Sequence, residues 1–249
     1  MLECATLWIG ETVGPVERAC MRSVLRQGHH LALYCYRVPS GIPPGVQLAD
    51  ASAILPPASV FRHRSGSIAP FSDWFRYELQ KRGLGTWVDT DMYLLRPLDE
   101  SGAYLFGEER PGIINNAVLR LPPDSPIIGE LLKLFRPAGA QPRALLSELR
   151  DRLSGRMNIR AGRWGTTGRV ALTAAVNKFA LASHALPASA FYPVPWQRAD
   201  WIIDRQIHLE DLLGESTIGV HLWNQLIKGI KNRPAPEGSF LARLQTEGA

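Results

Sequence analysis

An alternation of apolar runs and amphipathic segments in the first 90 or so residues restricts the possible folds more than any other feature of this chain. Strands are predicted at 4–10 and 30–36, with a short strand or turn in 46–57 and an apolar run before Asp89. Helices are predicted at 16–28 and within 68–83, the second with Ser72 as its N-cap. This alternation indicates an α/β protein with a parallel sheet covered by helices.

Three side chains with ligand-binding potential follow strands of this predicted sheet. Trp8 lies near the end of the first strand, and Asp89 and Asp91 follow the apolar pair Trp87-Val88. Ligands of such sheets bind beyond the carboxyl ends of the strands. Two carboxylates this close repel each other, and burying either costs free energy unless a positive group binds it. A metal site, covalent chemistry and a plain solvated turn all remain open at this point.

The second half of the chain has a less regular pattern, without a repeat or a low-complexity linker. A single domain over 1–249 is therefore predicted. Strands are predicted at 103–109, 114–122, 190–195 and 200–205, helices at 125–137 and 141–153, and a Gly-rich turn leading into a helix at 164–181.

The composition limits the cellular compartments and the classes of binding partner that we expect for this chain. The 249 residues carry a net charge of +5 with a pI near 9.3, which favours anionic partners, but no basic-aromatic motif indicates nucleic acid. Neither a transmembrane helix nor a signal peptide is predicted, so we expect a cytoplasmic location, including the inner face of a membrane. Cys4, Cys20 and Cys35 have no paired spacing and are predicted to be buried free thiols.

The predicted helix before Asp89 carries an acidic and a basic residue on one face. Helical spacing places Asp73, Arg76 and Gln80 together. Taken alone, Asp73 and Arg76 could form a surface ion pair worth a few tenths of a kcal/mol. Their position ahead of the two aspartates, in SDWFRYELQKRGLGTWVDTD (72–91), gives the pair a second interpretation.

This stretch resembles the D-x-x-R…G-x-(Y/W)-x-D-x-D block of GT-A fold glycosyltransferases with a D-x-D sugar-binding region. The resemblance is to the capsular-polysaccharide and α-1,4-glycosyltransferase types, and more distantly to the glucosylating clostridial toxins. Four further segments resemble the family's blocks in the family's order, although Arg169 stands where proline is common. They are ATLWIG (5–10), IINNAVLRLPPDSP (113–126), WGTTGRVALT (164–173) and VHLWNQ (220–225).

The resemblance implies a GT-A fold, with a Rossmann-like nucleotide-sugar-binding parallel sheet in 1–100. A mixed acceptor-side half would follow in 101–249 and end in a metal and diphosphate segment. The implied activity is metal-dependent transfer of a hexose or N-acetylhexosamine, with retention of configuration, in surface polysaccharide synthesis. The donor would be a nucleotide sugar, with UDP as the expected nucleotide, and the acceptor a glycan or glycolipid.

The resemblance also implies a metal site built on the aspartate pair. Asp91 would be the principal ligand of Mn²⁺ or Mg²⁺, which suits oxygen donors and a departing diphosphate. Asp89 would bind the ion, directly or through water, or contact the ribose and sugar. His221 would bind the ion or the diphosphate, and its alternative is a structural histidine.

Donor contacts are implied for the remaining residues of the matched blocks. Trp8 would stack on the base, with a core tryptophan as its alternative. Asp73 and Arg76 would hold sugar hydroxyls and a phosphate, and Trp223 would donate its indole N–H to the diphosphate. Asn116, or its neighbour Asn115, would donate to the sugar or the leaving group. The implied catalytic residues are Asp73, Arg76, Asp89 and Asn116.

Two other function classes remain open. The segment WVDTDMYLL (87–95) also resembles the loop of haloacid-dehalogenase-type phosphatases, in which Asp89 would be the nucleophile and Asp91 the acid/base. Those enzymes need a later acidic pair, and HLEDLLGE (208–215) is the nearest segment but lacks the expected glycine. A non-catalytic nucleotide-sugar or glycan-binding module is the second alternative.

Overall fold

A computed structural model describes residues 1–135 and 165–249. Helices α1, α2 and α3 cover Pro15–Arg26, Ala69–Lys81 and Pro126–Leu132, and further helices cover Ala171–Lys178, Ala188–Phe191, Asn224–Ile227 and Phe240–Glu247. Strands β1 to β9 cover, in chain order, Glu3–Trp8, His30–Cys35, Gln47–Asp50, Thr86–Val88, Met92–Leu94, Leu105–Arg110, Ile113–Arg120, Ala185–Leu186 and Gly219–His221. The helix predicted at 141–153 and the start of the predicted turn at Trp164 lie outside the described residues.

The main sheet has the strand order β3-β2-β1-β4-β7-β6-β8. Its first four strands are parallel, whereas β7 runs antiparallel to both β4 and β6. The predicted α/β fold, with a parallel first half and a mixed second half, is therefore confirmed. β5 and β9 form a separate antiparallel pair.

Both faces of the sheet are buried, which explains the near-continuous apolar runs of its parallel strands. In β1 the side chains alternate, so that Cys4 joins the core that contains α1 and the last helix. Ala5 and Leu7 join the opposite core, which α2 fills with Phe71 and Phe75. Because both faces of the sheet are covered, a ligand-binding site can form only in the loops beyond the ends of the strands.

Helix α2 begins earlier than its sequence predicts. It starts at Ala69 with Pro70 in the first turn, where proline is favoured, so the prediction of Ser72 as the N-cap is wrong. Ser72 instead lies inside the helix, where its hydroxyl accepts a hydrogen bond from Arg76 Nη2 at 3.2 Å.

The strands predicted at 190–195 and 200–205 are also wrong. The structure has the helix Ala188–Phe191 followed by a 3₁₀ segment over Trp196–Ile202. Pro193 and Pro195 lack the N–H groups that a strand needs, and Phe191 and Ile202 are buried without strand pairing. Among the described residues, no helix combines the length and apolar character required to cross a bilayer.

Candidate active site

The carboxyl edge of the parallel strands brings Trp8 and Asp89 to the same side of the sheet. Trp8 is the last residue of β1, and Asp89 directly follows β4. These strands are parallel neighbours with Cys4 opposite Thr86. The Asp89 N–H donates to the carbonyl of Ala117 at 2.7 Å, which fixes the turn after β4. The predicted placement at this edge is confirmed.

The β5–β9 pair adds a histidine to the two aspartates. Met92 pairs with His221, and the Leu222 N–H donates to the carbonyl of Asp91 at 2.9 Å. One ligand atom from each of Asp89, Asp91 and His221 can be chosen so that all three lie within 4.8 Å of one another. Asp91 and His221 are each only 7% exposed, so the solvated-turn interpretation is wrong. Two carboxylates and an imidazole form a donor set that can hold a divalent cation.

Asp91 is held in one orientation and stays charged. Its Oδ2 accepts the backbone N–H of Asn224 at 2.8 Å, and its Oδ1 lies 3.5 Å from His221 Nε2. Burial raises the pKa of Asp91, but the His221 charge, the contact with that ring and the Asn224 N–H outweigh it, and the pKa falls to about 2. The carboxylate is therefore ionised and ready to bind a cation at neutral pH.

Asp89 has partners on one of its oxygens. Its Oδ1 accepts from Trp87 Nε1 at 2.7 Å and from Arg76 Nη2 at 3.0 Å, so Oδ2 remains able to bind a ligand. Burial raises the pKa of Asp89, Arg76 opposes this rise and Asp91 adds to it, and the net pKa is raised. Arg76 thus outweighs the repulsion from Asp91, and burial is the effect that keeps the pKa of Asp89 raised.

Eight buried side-chain polar atoms in the described part of the chain have no hydrogen-bond partner, and four of them belong to this cluster or to residues close to it. These four are His221 Nδ1, Asn224 Oδ1, the Tyr192 hydroxyl and Trp8 Nε1. Buried polar groups are nearly always hydrogen-bonded in native proteins. Four such atoms at this edge fit a site that binds a polar ligand.

A second group of buried polar residues lies next to the cluster and is fully bonded. Arg76 is 4% exposed and Asp73 is 5% exposed, so the surface-pair interpretation is wrong. Asp73 Oδ1 lies 3.6 Å from Arg76 Nε and accepts from Asn116 Nδ2 at 2.9 Å, while Oδ2 accepts from Thr167 Oγ1 at 2.7 Å. Arg76 also donates to the Asn116 carbonyl. The structure thus brings the predicted residues Asp73, Arg76 and Asn116 together.

The turn over Thr166–Val170 packs closely on this group. A Cβ atom at Gly168 would lie 3.2 Å from both Asn116 Oδ1 and Asp73 Oδ2. Few real Cβ atoms make contacts this short, so the position requires glycine or a shift of its neighbours. Thr167 connects the turn to Asp73 through its hydroxyl. The sequence analysis did not identify Thr167, and its place in the TTG segment is the only feature of the sequence that points to it.

Glu109 is a buried carboxylate that the sequence did not single out. Its Oε1 lies 2.6 Å from Arg169 Nη1, and its Oε2 accepts from Asn115 Nδ2 at 2.8 Å. Arg169 occupies the position at which the resemblance led us to expect proline. The substitution is therefore matched by an acidic partner on β6. The Asn115 side chain thus donates a hydrogen bond to Glu109, whereas the Asn116 side chain donates one to Asp73.

A pocket of about 620 Å³ opens beside Trp8. Glu17 in its wall accepts from Asn224 Nδ2 at 2.8 Å and pairs with Lys231. Because the Asn224 N–H also binds Asp91, this one residue connects the pocket to the metal-ligand cluster. Sequence reasoning missed Glu17, Asn224 and Lys231, although two of them lie in or close after the VHLWNQ block. The pocket is lined by Trp8, Thr12, Gly14, Glu17, Lys231 and Arg233, among others.

Trp223 lies near the cluster, but its predicted donor group is already bonded. Its indole Nε1 donates to the Val194 carbonyl at 2.8 Å, and the side chain is 8% exposed. Its ring contacts His221 at a centroid distance of 4.3 Å. In this structure Trp223 therefore packs against His221 and does not offer its N–H to a ligand.

Comparison with known proteins adds family evidence to this geometry. Residues 162–247 match the model of the alpha 1,4-glycosyltransferase conserved region. This span is about a third of the chain and includes the turn at Thr166–Val170, Tyr192, His221 and Lys231. No curated protein matches the chain.

Among solved structures, the chain is similar to one titled "PaToxG Glycosyltransferase". The two are 14% identical, with a TM-score of 0.49, over 72% of this chain and 70% of that chain. The family match includes two of the five segments that carry the sequence resemblance, 164–173 and 220–225, and supports the resemblance over these residues. The C-terminal third of the chain therefore carries a segment that is similar to the alpha 1,4-glycosyltransferase conserved region.

Proposed function

We propose that this chain is a glycosyltransferase that moves a hexose or N-acetylhexosamine from a UDP-sugar to a hydroxyl of a glycan or glycolipid, with Mn²⁺ or Mg²⁺ as its cofactor. Surface polysaccharide synthesis in the cytoplasm, including the inner membrane face, is the proposed setting. The observation that carries the proposal is the Asp89–Asp91–His221 cluster at the carboxyl edge, connected through Asn224 to the pocket at Trp8.

The donor set fits a divalent metal ion. Two carboxylates and one imidazole converge there, and the buried Nδ1 of His221 and Oδ1 of Asn224 have unmet hydrogen-bonding capacity. A bound ion would stabilise the negative charge that develops on the departing diphosphate. The Asn224 N–H orients Asp91 for this ion, and Arg76 orients Asp89.

The pocket at Trp8 suits the nucleotide. Its volume of about 620 Å³ lies within the roughly 300–1,000 Å³ typical of small-ligand sites. The indole of Trp8 offers a face for base stacking, and Arg233 supplies positive charge for phosphates, whereas the charge of Lys231 is paired with Glu17. With the base at Trp8, the Asn224 bridge directs the diphosphate toward Asp91.

The fully bonded group next to Asp89 is proposed to face the donor sugar. Asp73 can accept from sugar hydroxyls. Asn116 Nδ2 donates to Asp73 Oδ1 and to the Tyr77 hydroxyl, so Asn116 would bind a sugar hydroxyl through its Oδ1 in the structure as it stands. Their mutual hydrogen bond and the Thr167 hydroxyl hold both groups in fixed positions. Preorganised polar groups of this kind do not have to reorient during the reaction.

Retention is proposed to proceed by front-face displacement. The bond from C1 to the diphosphate oxygen breaks with its electron pair on that oxygen, and the acceptor oxygen bonds to C1 on the same face. The acceptor's proton passes to the departing diphosphate, and the transition state resembles an oxocarbenium ion. Glu109 is a poor candidate for a covalent nucleophile, because Arg169 and Asn115 already bind its two oxygens.

A panel of nucleotide sugars assayed with and without Mn²⁺ tests this proposal. We expect release of UDP from one UDP-sugar, dependent on the metal and accelerated by a glycan acceptor. Release of phosphate from simple monoesters, without binding of any UDP-sugar, would instead favour the phosphatase chemistry of Asp89 and Asp91. Metal-independent turnover would contradict the proposed role of the cluster.

A further inference from the structure

The hydroxyl of Tyr192 is a buried polar group without a hydrogen-bond partner in the described ranges. The residue is 4% exposed and directly follows the helix Ala188–Phe191. A buried hydroxyl without a partner destabilises a protein, because the group loses its hydrogen bonds to water. Such a group at a binding edge is a candidate ligand contact.

The Tyr192 ring packs directly on residues of the site. Its centroid lies 5.6 Å from that of His221 and 5.7 Å from that of Trp223. A phenol ordinarily carries its proton at neutral pH, so the hydroxyl can donate a hydrogen bond there.

The groups around the Tyr192 hydroxyl indicate which part of a ligand this hydroxyl can bind. Asp89, Asp91 and Glu109 are acceptors when ionised and can bind sugar hydroxyls, but they cannot donate to phosphate oxygens. Trp223, the donor expected at the diphosphate, is bonded to Val194. Tyr192 packs on the same histidine and has a donor that no described residue uses.

We propose that the Tyr192 hydroxyl donates a hydrogen bond to a β-phosphate oxygen of the bound nucleoside diphosphate. This inference rests on the proposed function, which supplies the diphosphate. The β-phosphate is the group that departs from the sugar, and it belongs next to the Asp91–His221 side of the site, against which the Tyr192 ring packs. Tyr192 thereby takes the role that the sequence resemblance assigned to Trp223.

Tyr192→Phe tests the inference because it removes only the hydroxyl. Binding of UDP in the presence of Mn²⁺, measured by titration calorimetry, should weaken by roughly 10- to 100-fold, as expected for a hydrogen bond to a charged group. Binding of UMP, which lacks the β-phosphate, should change less than about twofold. The unliganded Tm should be unchanged or higher, since a buried group without a partner is removed.

Tyr104→Phe is the matched control. Its hydroxyl donates to Ser125 Oγ at 3.3 Å, at the opposite edge of the sheet, where Leu105 pairs with Arg120. This variant should bind UDP as the wild type does.

Three results would overturn the inference. They are unchanged UDP affinity in Tyr192→Phe, an equal loss of UMP affinity, and a loss confined to the intact UDP-sugar. In the first of these cases, a lower Tm would assign the hydroxyl a structural role. If the wild type itself fails to bind UDP with Mn²⁺, the proposed function fails first and this inference falls with it.

Discussion

Two neighbouring groups of buried polar residues at the carboxyl edge differ in how completely they are hydrogen-bonded. In the closed network of Asp73, Arg76, Asn116 and Thr167, every side chain named has a partner in the group. The open cluster of Asp89, Asp91, His221 and the adjoining Tyr192 and Asn224 instead has three buried atoms without a partner in the described chain. Both groups lie within one short stretch of the sheet edge.

The difference in hydrogen bonding corresponds to two tasks of a binding site, which are to hold side chains in position and to bind the ligand. A closed network fixes side-chain positions, and removing one member leaves the others buried and unpaired. An open cluster lowers the stability of the unliganded protein, and a ligand that satisfies it restores that stability by mass action. Substitutions in the network should therefore affect folding, whereas those in the cluster should affect ligand binding.

Arg76→Met should cause the largest loss of stability. Arg76 is the charge partner of both Asp89 and Asp73, and methionine keeps much of its volume without its donors. Removing one member of a buried ion pair costs about 3–5 kcal/mol, which corresponds to a Tm decrease of roughly 6–20 °C in a chain of this size. Thermal denaturation followed by circular dichroism measures the change.

Arg76→Lys should fall between the wild type and Arg76→Met, because it keeps the charge but loses the planar fork. A wild-type Tm in Arg76→Met would show that the network is not needed for folding and would remove the distinction between the two groups.

Trp8→Ala should affect binding more than folding. Loss of base stacking costs about 1–3 kcal/mol, so UDP affinity should decrease by roughly 10- to 100-fold. Titration of UDP against a folded variant provides the measurement. Unchanged affinity accompanied by a large decrease in Tm would assign Trp8 to the core, the alternative that the sequence left open.

The pH dependence of the open cluster should have opposite signs with and without metal. Burial lowers the pKa of His221, but the charges of Asp91 and Asp89 outweigh it, and the net pKa is raised above 6.5. Without metal, His221 therefore stabilises the fold fully below pH 6.5, and this contribution is lost as the pH rises through its raised pKa.

Metal binding requires neutral imidazole, so the affinity for Mn²⁺ should fall up to about tenfold per pH unit below that pKa. Melting curves with and without Mn²⁺ across this range measure both trends, and His221→Gln should abolish both. A Mn²⁺ affinity that is independent of pH in the wild type would remove His221 from the ligand set.

The sequence predicted the parts of this site that follow local patterns. Alternating strands and helices placed Trp8 and Asp89 at one edge, and helical spacing placed Asp73 beside Arg76. It did not predict the partners of these residues. Asn224 reaches Asp91 only through the β5–β9 pair, and Thr167 reaches Asp73 across 94 positions of sequence.

Local patterns also failed where burial occurs without regular structure. The apolar segment containing Phe191 and Tyr192 resembles a strand, but its prolines prevent pairing and its side chains are buried from a short helix and loop. Tyr192 was missed for this reason. The significance of its hydroxyl depends on which acceptors lie nearby, and only the tertiary structure supplies that information.

Thermal stability of the wild type and Asp91→Asn, each with Mn²⁺, with UDP and with both, tests the central claim most directly. Asp91→Asn keeps the side chain's shape but removes the charge that binds the ion. The account predicts that the wild type gains more from Mn²⁺ and UDP together than from either alone, by roughly 5–10 °C at a hundredfold excess over Kd. Asp91→Asn should fold, lose this joint gain and lose transfer, while Asp124→Asn at the surface keeps both. A folded Asp91→Asn protein that retains the joint gain, or transfers sugar at close to the wild-type rate, would contradict the account.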